Sequence, residues 1–300
     1  MLEIKSDQAI YSFAPDAQAV ATIKSGAAAS FVTRDCFSNQ INSPEQLFES
    51  TDWSSINPAT GPLAIEGAEP GDVLAVDILD IETADYGVMT AVKDMGAIPG
   101  LLDGSETRII PIKNGWARFN ENLSFPVNPM VGVIGTAPRE ETVPCGTPGA
   151  HGGNMDNKDI IKGARLYLPV WQKGGLLALG DLHALQGDGE VLFCGIEVAG
   201  RVTVRVNVIK GQELATPVLE NRDYFYIIGS AGDLDEAAKV VMDWTHQFLK
   251  ARLPLSNNEV AMLMSIVCDL QICQIVDPLI TCRMAIPKKA FSSYQLSFAD

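Results

Sequence analysis

The sequence predicts a mainly β fold with a smaller helical part at its C-terminal end, an α+β chain. Three observations predict it. Short β-branched and aromatic runs recur through the first 228 residues between turn clusters, in a chain carrying 26 glycines and 17 prolines. Val202, Val204, Val206 and Val208 alternate with Thr203, Arg205 and Asn207, the pattern of a strand with one packed and one wet face. Beyond about residue 230 the hydrophobic period becomes helical. A length of 300 residues allows two domains or one large β domain with additions. The composition break divides the chain into a β-rich region, 1–228, and a helix-containing region, 229–300, packed on it.

In order, strands are expected over 9–13, 20–23 and 30–33, and the last ends in a polar cluster, 34–40. Asp35 and Gln40 lie in that cluster; an Asx turn is the plain alternative for Asp35. Asn57, Pro58, Gly61 and Pro62 make a structured loop. A partly alternating strand follows over 73–81. The glycine-punctuated stretch 84–108 reads as long loops, a candidate lid. Short strands near 109–112 and 117–119 precede a buried one at 131–135. The segment 144–156 is too rich in Pro and Gly for a helix, and it holds His151, Asn154 and Asp156. A strand at 164–172 carries Pro169, an edge or bulge signal.

Two apolar runs, 176–179 and 191–194, then read as a hairpin with polar residues gathered at its tip. In the helical region Asp233 and Glu236 cap a helix reaching about Lys250. Ser256 and Glu259 form a capping box for a second helix, whose apolar face includes Val260, Leu263, Met264 and Val267. Cys268 and Cys273, about 140° apart round a helix, do not share a face.

Composition narrows the function. An apolar content of 47% supplies a core, and 20% charged residues argues against disorder. A net charge of −15 with no Lys/Arg cluster excludes nucleic acid as an expected partner and argues against an anionic membrane surface. No apolar run reaches the roughly 18 residues of a membrane span, and no signal segment is seen. Six scattered cysteines, several inside apolar patterns, suggest a reduced, cytoplasmic protein.

The chemistry gathers in the stretch GDLHALQGDGE, 180–190. Side chains two apart on a strand share a face, so Asp181 and His183 aim together. The Gly187-Asp188-Gly189 turn can return Glu190 beside them. An imidazole with two carboxylates is the material of a metal site with an adjacent base; a polar hairpin tip is the plain alternative. Two of the three histidines, His151 and His183, lie in Gly-rich loops beside Asp, which favours a shared metal. The third, His246, falls within the first helix and reads as structural. Cys145 near His151 is a weaker, nucleophilic alternative. Dinucleotide, phosphate-loop and nucleophile-elbow motifs are absent, as are HExxH and paired CxxC.

These stretches resemble the acetamidase/formamidase family. GDLHALQGDGE at 180–190 is the longest and most specific match, and HGGNMD at 151–156 resembles a second signature. DCFSNQ (35–40), NPATGP (57–62), EGAEPGD (66–72) and QIVDP (274–278) follow the family's order, so the likeness spans nearly the whole chain. It implies hydrolysis of short aliphatic amides to carboxylate and ammonia, on a β-rich fold with sandwich and barrel-like parts and a smaller α/β part. It also implies a divalent metal, zinc first, with Ca²⁺ or another divalent ion as alternatives. On this reading Asp35, His151, Asp181 and His183 are the candidate ligands. Glu190 is the general base, Asp156 supports a ligating histidine, and Gln40 and Asn154 hold the amide. The expected partners are a small neutral amide and further copies of the chain, as a homodimer or larger homo-oligomer. Two other readings stand beside it: a metal-dependent C–N hydrolase for cyclic or larger amides, and a non-catalytic homologue holding a small polar ligand.

Overall fold

Half-buried strands bury their apolar faces by stacking, and here they stack as two large sheets. The computed structural model describes residues 1–298. Among them, nine strands form one sheet, in the spatial order Leu2–Ile4, Ala28–Thr33, Gly200–Ile209, Val73–Thr83, Arg165–Pro169, Val218–Glu220, Tyr224–Ala231, Ile280–Pro287 and Asp269–Gln274. The alternation at 202–208 places Val202, Val204 and Val206 in the core, while Arg201 and Arg205 reach solvent. The second sheet has eleven strands among the described residues. Its centre runs from Tyr86–Ala91 through Glu197–Val198, Leu177–His183 and Met130–Gly135 to Gly152–Asn154. One core lies between the sheets, joining Phe31, Val76 and Val204 of the first to Leu63, Ile134, Leu179 and Leu182 of the second.

The helices form where the caps predict. Helix α1 spans Leu234–Arg252, and the Asp233 carboxylate accepts from the Glu236 N–H. Helix α2 spans Asn257–Val267 behind a complete Ser256/Glu259 capping box. They cover the outer face of the first sheet, burying Phe248, Leu249 and Val260 against Val73, Tyr167 and Phe225. Helix-to-helix contact includes His246, whose ring meets the Asn257 carbonyl oxygen at 3.1 Å. The strand Tyr224–Ala231 runs across position 228, and the last two strands complete the sheet begun by the N-terminal region.

Three local expectations change. The stretch 84–108 is loop only in part: Tyr86–Ala91 pairs with Glu106–Lys113, leaving 92–105 as the connection. Position 59 begins a strand, Ala59–Glu66, despite Gly61 and Pro62: Ala59 and Thr60 pair with Ile10 and Ala9, and the Gly61 N–H continues that register to the Gln8 carbonyl. The run 191–194 is not the returning strand of a hairpin. Glu197–Val198 takes that place, pairing His183 with Glu197 and Leu182 with Val198. All six cysteines are free.

Candidate active site

The strand Leu177–His183 organises the site because its partner changes along its length. On one side Leu177 to Gly180 pair with Ala59–Glu66, then Leu182 and His183 pair with Glu197–Val198. On its other side Met130–Gly135 pairs with positions 178–180, 182 and 183, skipping Asp181. Asp181 falls at this break with φ 54°. Left-handed backbone at a non-glycine residue is costly and collects at functional sites. Asp156 (φ 42°) and Glu190 (φ 43°) share that conformation. Asp181 does so within a strand and the other two in loops, and all three carboxylates meet at one place.

That place is the Nε2 face of His183. Nε2 lies 3.1 Å from Glu197 Oε1, 3.4 Å from Asp181 Oδ1 and 3.9 Å from Asp156 Oδ1. Donor atoms of Asp156, His183 and Glu190 all lie within 4.8 Å of one another, and so do those of Cys36, Asp181 and Glu197. His183 therefore joins two trios. Its Nδ1 is 2.8 Å from Gln186 Oε1, and the Gln186 amide donates to the Asp156 carbonyl oxygen. A carbonyl oxygen only accepts, so Nδ1 carries the proton and the ring orientation is set.

Two absent side chains make room. A Cβ on Gly132 would sit 2.4 Å from Asp156 Oδ1 and 2.9 Å from Asp181 Oδ2. A Cβ on Gly195 would sit 2.7 Å from His183 Nδ1. The cluster is a cradle of backbone around packed polar groups.

Electrostatics set it apart from an ordinary polar core. Asp156, Asp181, His183, Glu190 and Glu197 are all buried. Burial, then the neighbouring Asp156, holds the Glu190 carboxyl well above the usual carboxylate range. Burial likewise raises Glu197 to about 8. Asp277 reaches in from the loop between the last two strands, and Asn154 donates to it at 2.9 Å. Burial, then repulsion from Asp277, raises Asp156, and burial, then repulsion from Glu190, raises Asp277. Burial opposes ionised Asp181 too, but the His183 imidazole outweighs it and holds that carboxyl low. Burial also works against a charged His183, and Glu197 and Asp181 overcome it.

A sequence profile of the Acetamidase/Formamidase family matches residues 3–144 and 140–293. The chain belongs to the acetamidase/formamidase family.

Among members of this family, a solved acetamidase from Bacillus halodurans is 44% identical and superposes with a TM-score of 0.96, over 98% of this chain and 99% of that one. A structure described as a predicted acetamidase/formamidase from the thermophile Thermoanaerobacter tengcongensis is 45% identical, with a TM-score of 0.96 over 99% of both chains. A formamidase from Methylophilus methylotrophus is 28% identical over 75% of this chain and 72% of its own. The chain is an enzyme of the amide-hydrolase class.

Family sequence features and cluster geometry coincide in part. Asp181, His183, Glu190 and Asp156 are brought together. Asn154 stands at the edge, its Oδ1 buried without a partner. Asp35 is buried and close enough to Asp181 to feel its charge, but its Oδ1 closes a turn by accepting the Asn39 N–H at 2.6 Å. Burial raises Asp35 to about 6.

Two placements correct the expectation. His151 does not join His183. The carbonyl of His151 accepts from the Thr136 N–H, whereas His183 lies opposite Met130. Six residues of strand at about 3.3 Å each separate those positions, roughly 20 Å. The His151 ring packs edge-on against Phe13 at 5.1 Å, and burial lowers its pKa to about 4. Gln40 is also elsewhere, its amide accepting the Asp52 N–H at 2.8 Å. Cys145 donates to the Ile10 carbonyl, and burial pushes its thiol to about 12, which works against the thiolate a nucleophile needs.

Sequence reasoning missed Glu197, Cys36, Gln186 and Asp277 as site residues. For Glu197 a signal existed: it is the single charge in the apolar run Ile196-Glu197-Val198, and both neighbours are buried. Asp277 is likewise the single charge in the run 275–280, but its meeting with the cluster is set by the fold.

Proposed function

We propose that this chain hydrolyses short aliphatic carboxamides to the carboxylate and ammonia, and that the cluster around His183 holds a divalent cation. One observation supports the second part above others. Asp156 Oδ1, Asp181 Oδ1, Glu190 Oε2 and Glu197 Oε2 are buried without a hydrogen-bond partner. A buried carboxylate oxygen left unpaired is costly, and a cation is the partner such a set fits. An imidazole among carboxylates, with the Cys36 thiol alongside, suits zinc or another divalent transition ion better than an all-oxygen calcium site. Asp156, Asp181, His183 and Glu197 would hold it. Once bound, such an ion polarises a carbonyl and acidifies water.

The remaining steps belong to the chain's own groups. Gln186 keeps the His183 Nε2 turned toward the carboxylates. Glu190 borders both the cluster and an adjoining cavity, so it is the group to take the proton of the attacking water and hand it to the departing nitrogen. Asn154 is held by Asp277 through its amide nitrogen and offers an unpaired Oδ1. That oxygen is the natural acceptor for a substrate amide N–H.

The experiment is ammonia release from formamide and acetamide, with metal content measured on the same samples. Chelation should abolish turnover and added metal should restore it. Glu190→Gln should retain metal and lose about 10²–10⁴-fold in kcat. His183→Ala should lose both. Full activity in metal-free protein would refute the cation assignment and leave amide hydrolysis standing. No ammonia from any amide would refute the activity itself.

A further inference from the structure

Beside Glu190 lies a cavity of about 430 Å³. The charged and amide side chains of its lining come from the turn that carries Gln186, Asp188 and Glu190. The rest of the lining is mainly apolar: Phe119, Leu123 and Phe125, on and beside the hairpin formed by Trp116–Arg118 and Ser124–Pro126, with Met89, Leu185 and Ile196. The charge of Asp188 is answered by Arg283 at 2.9 Å and Lys158 at 3.0 Å, so Glu190 is the one carboxylate in the lining without a cationic partner of its own. Gln186 and Gly195 line the cavity from the side that backs the His183 ring. One cavity thus touches Glu190 and a set of aromatic and aliphatic side chains.

Volume decides what this shape is for. At about 30 Å³ for each heavy atom, acetamide fills less than a third of the space. A cavity of this size matches ligands well above acetamide in size, and its apolar wall has nothing to offer a formamide hydrogen. We propose that it is an acyl site, and that the preferred substrates are primary carboxamides with an apolar chain of at least about four carbons. The amide group would lie at Glu190 and Asn154, with the chain against Phe119 and Leu123. The reaction is unchanged: water adds, the C–N bond breaks, and the nitrogen leaves as ammonia with the proton passed by Glu190. This inference rests on the amidase reading and extends it to the substrate's other end.

The test is the ratio of kcat/KM along the series acetamide, propionamide, butyramide, valeramide and hexanamide, with ammonia as the readout. Burying each added methylene should raise kcat/KM about three- to fourfold until the cavity is full. Phe119→Ala should lower the hexanamide-to-acetamide ratio by about tenfold. A ratio that falls from acetamide onward, in protein that still releases ammonia, overturns the acyl site but not the amidase reading. If no amide releases ammonia, the amidase reading falls. Calorimetry then decides the cavity: hexanamide binding no tighter than acetamide overturns it, and tighter binding that Phe119→Ala weakens upholds it.

Discussion

At the residue scale, Gly132 shows how tightly the cluster is built. The space a methyl group would take is already occupied by two carboxylates. Gly132→Ala should therefore fold, since its φ is not left-handed, yet displace Asp156 and Asp181. We expect kcat to fall about 10²-fold with little change in circular dichroism, because ångström misplacements of reacting groups cost that much. His151 offers a separate test. Its folded pKa is about 4 against 6.5 in the unfolded chain, so the unfolded state binds more protons between those values. Stability that His151 leaves intact above pH 6.5 is lost as pH falls toward 4. The term reaches about 3 kcal/mol at the acid end. Denaturant titrations of His151→Gln and the parent should diverge in slope through that window. Equal slopes would show that the ring is solvated. The likeness of His151 and His183 in sequence, each in a Gly-rich segment beside Asp, said nothing about their separation.

At the scale of elements, the final hairpin governs the site without lying in it. Arg283 is buried on the strand Ile280–Pro287 and pairs with Asp159 at 3.1 Å and with Asp188 at 2.9 Å. Those two carboxylates flank the segments that carry Asp156 and Glu190. The turn before Glu190 is pinned again by the Gly189 N–H, which donates to the Cys273 carbonyl. Gln274 accepts from the N–H groups of Val276 and Asp277, fixing the loop that presents Asp277. Arg283→Met would remove the ion-pair partner of Asp159 and leave Asp188 with Lys158 alone. Both keep partial access to water, which reduces the penalty from that of a fully buried charge. We expect a loss of about 2 kcal/mol, or roughly 5 °C in Tm, with a larger loss of kcat than of substrate affinity. An unchanged Tm would mean that Lys158 and solvent suffice.

For the whole molecule, the chain is interleaved. The first sheet starts with residues 2–4 and ends with strands from beyond residue 268. The core between the sheets includes Ile228 and Ala285 alongside Phe31 and Leu179. A chain cut after residue 228 would lose Asp277 and Arg283 and expose Phe225 and Tyr226. It should be protease-sensitive and inactive, and limited proteolysis checks this. A stable, folded 1–228 fragment would show that the helical region is an independent addition.

The sequence by itself determined the class of fold, both helices with their caps, and the polar stretch that carries Asp181, His183 and Glu190. Those follow from local rules: period, turn chemistry, capping and side-chain alternation act over a few residues. Only the tertiary structure decided which distant groups meet. Glu197 arrives by strand pairing, Cys36 and Asp277 by loops from opposite ends of the chain, and His151 is excluded by register along one strand. Such meetings depend on how sheets pair and stack, which is set by contacts far apart in the chain that no short window of residues contains.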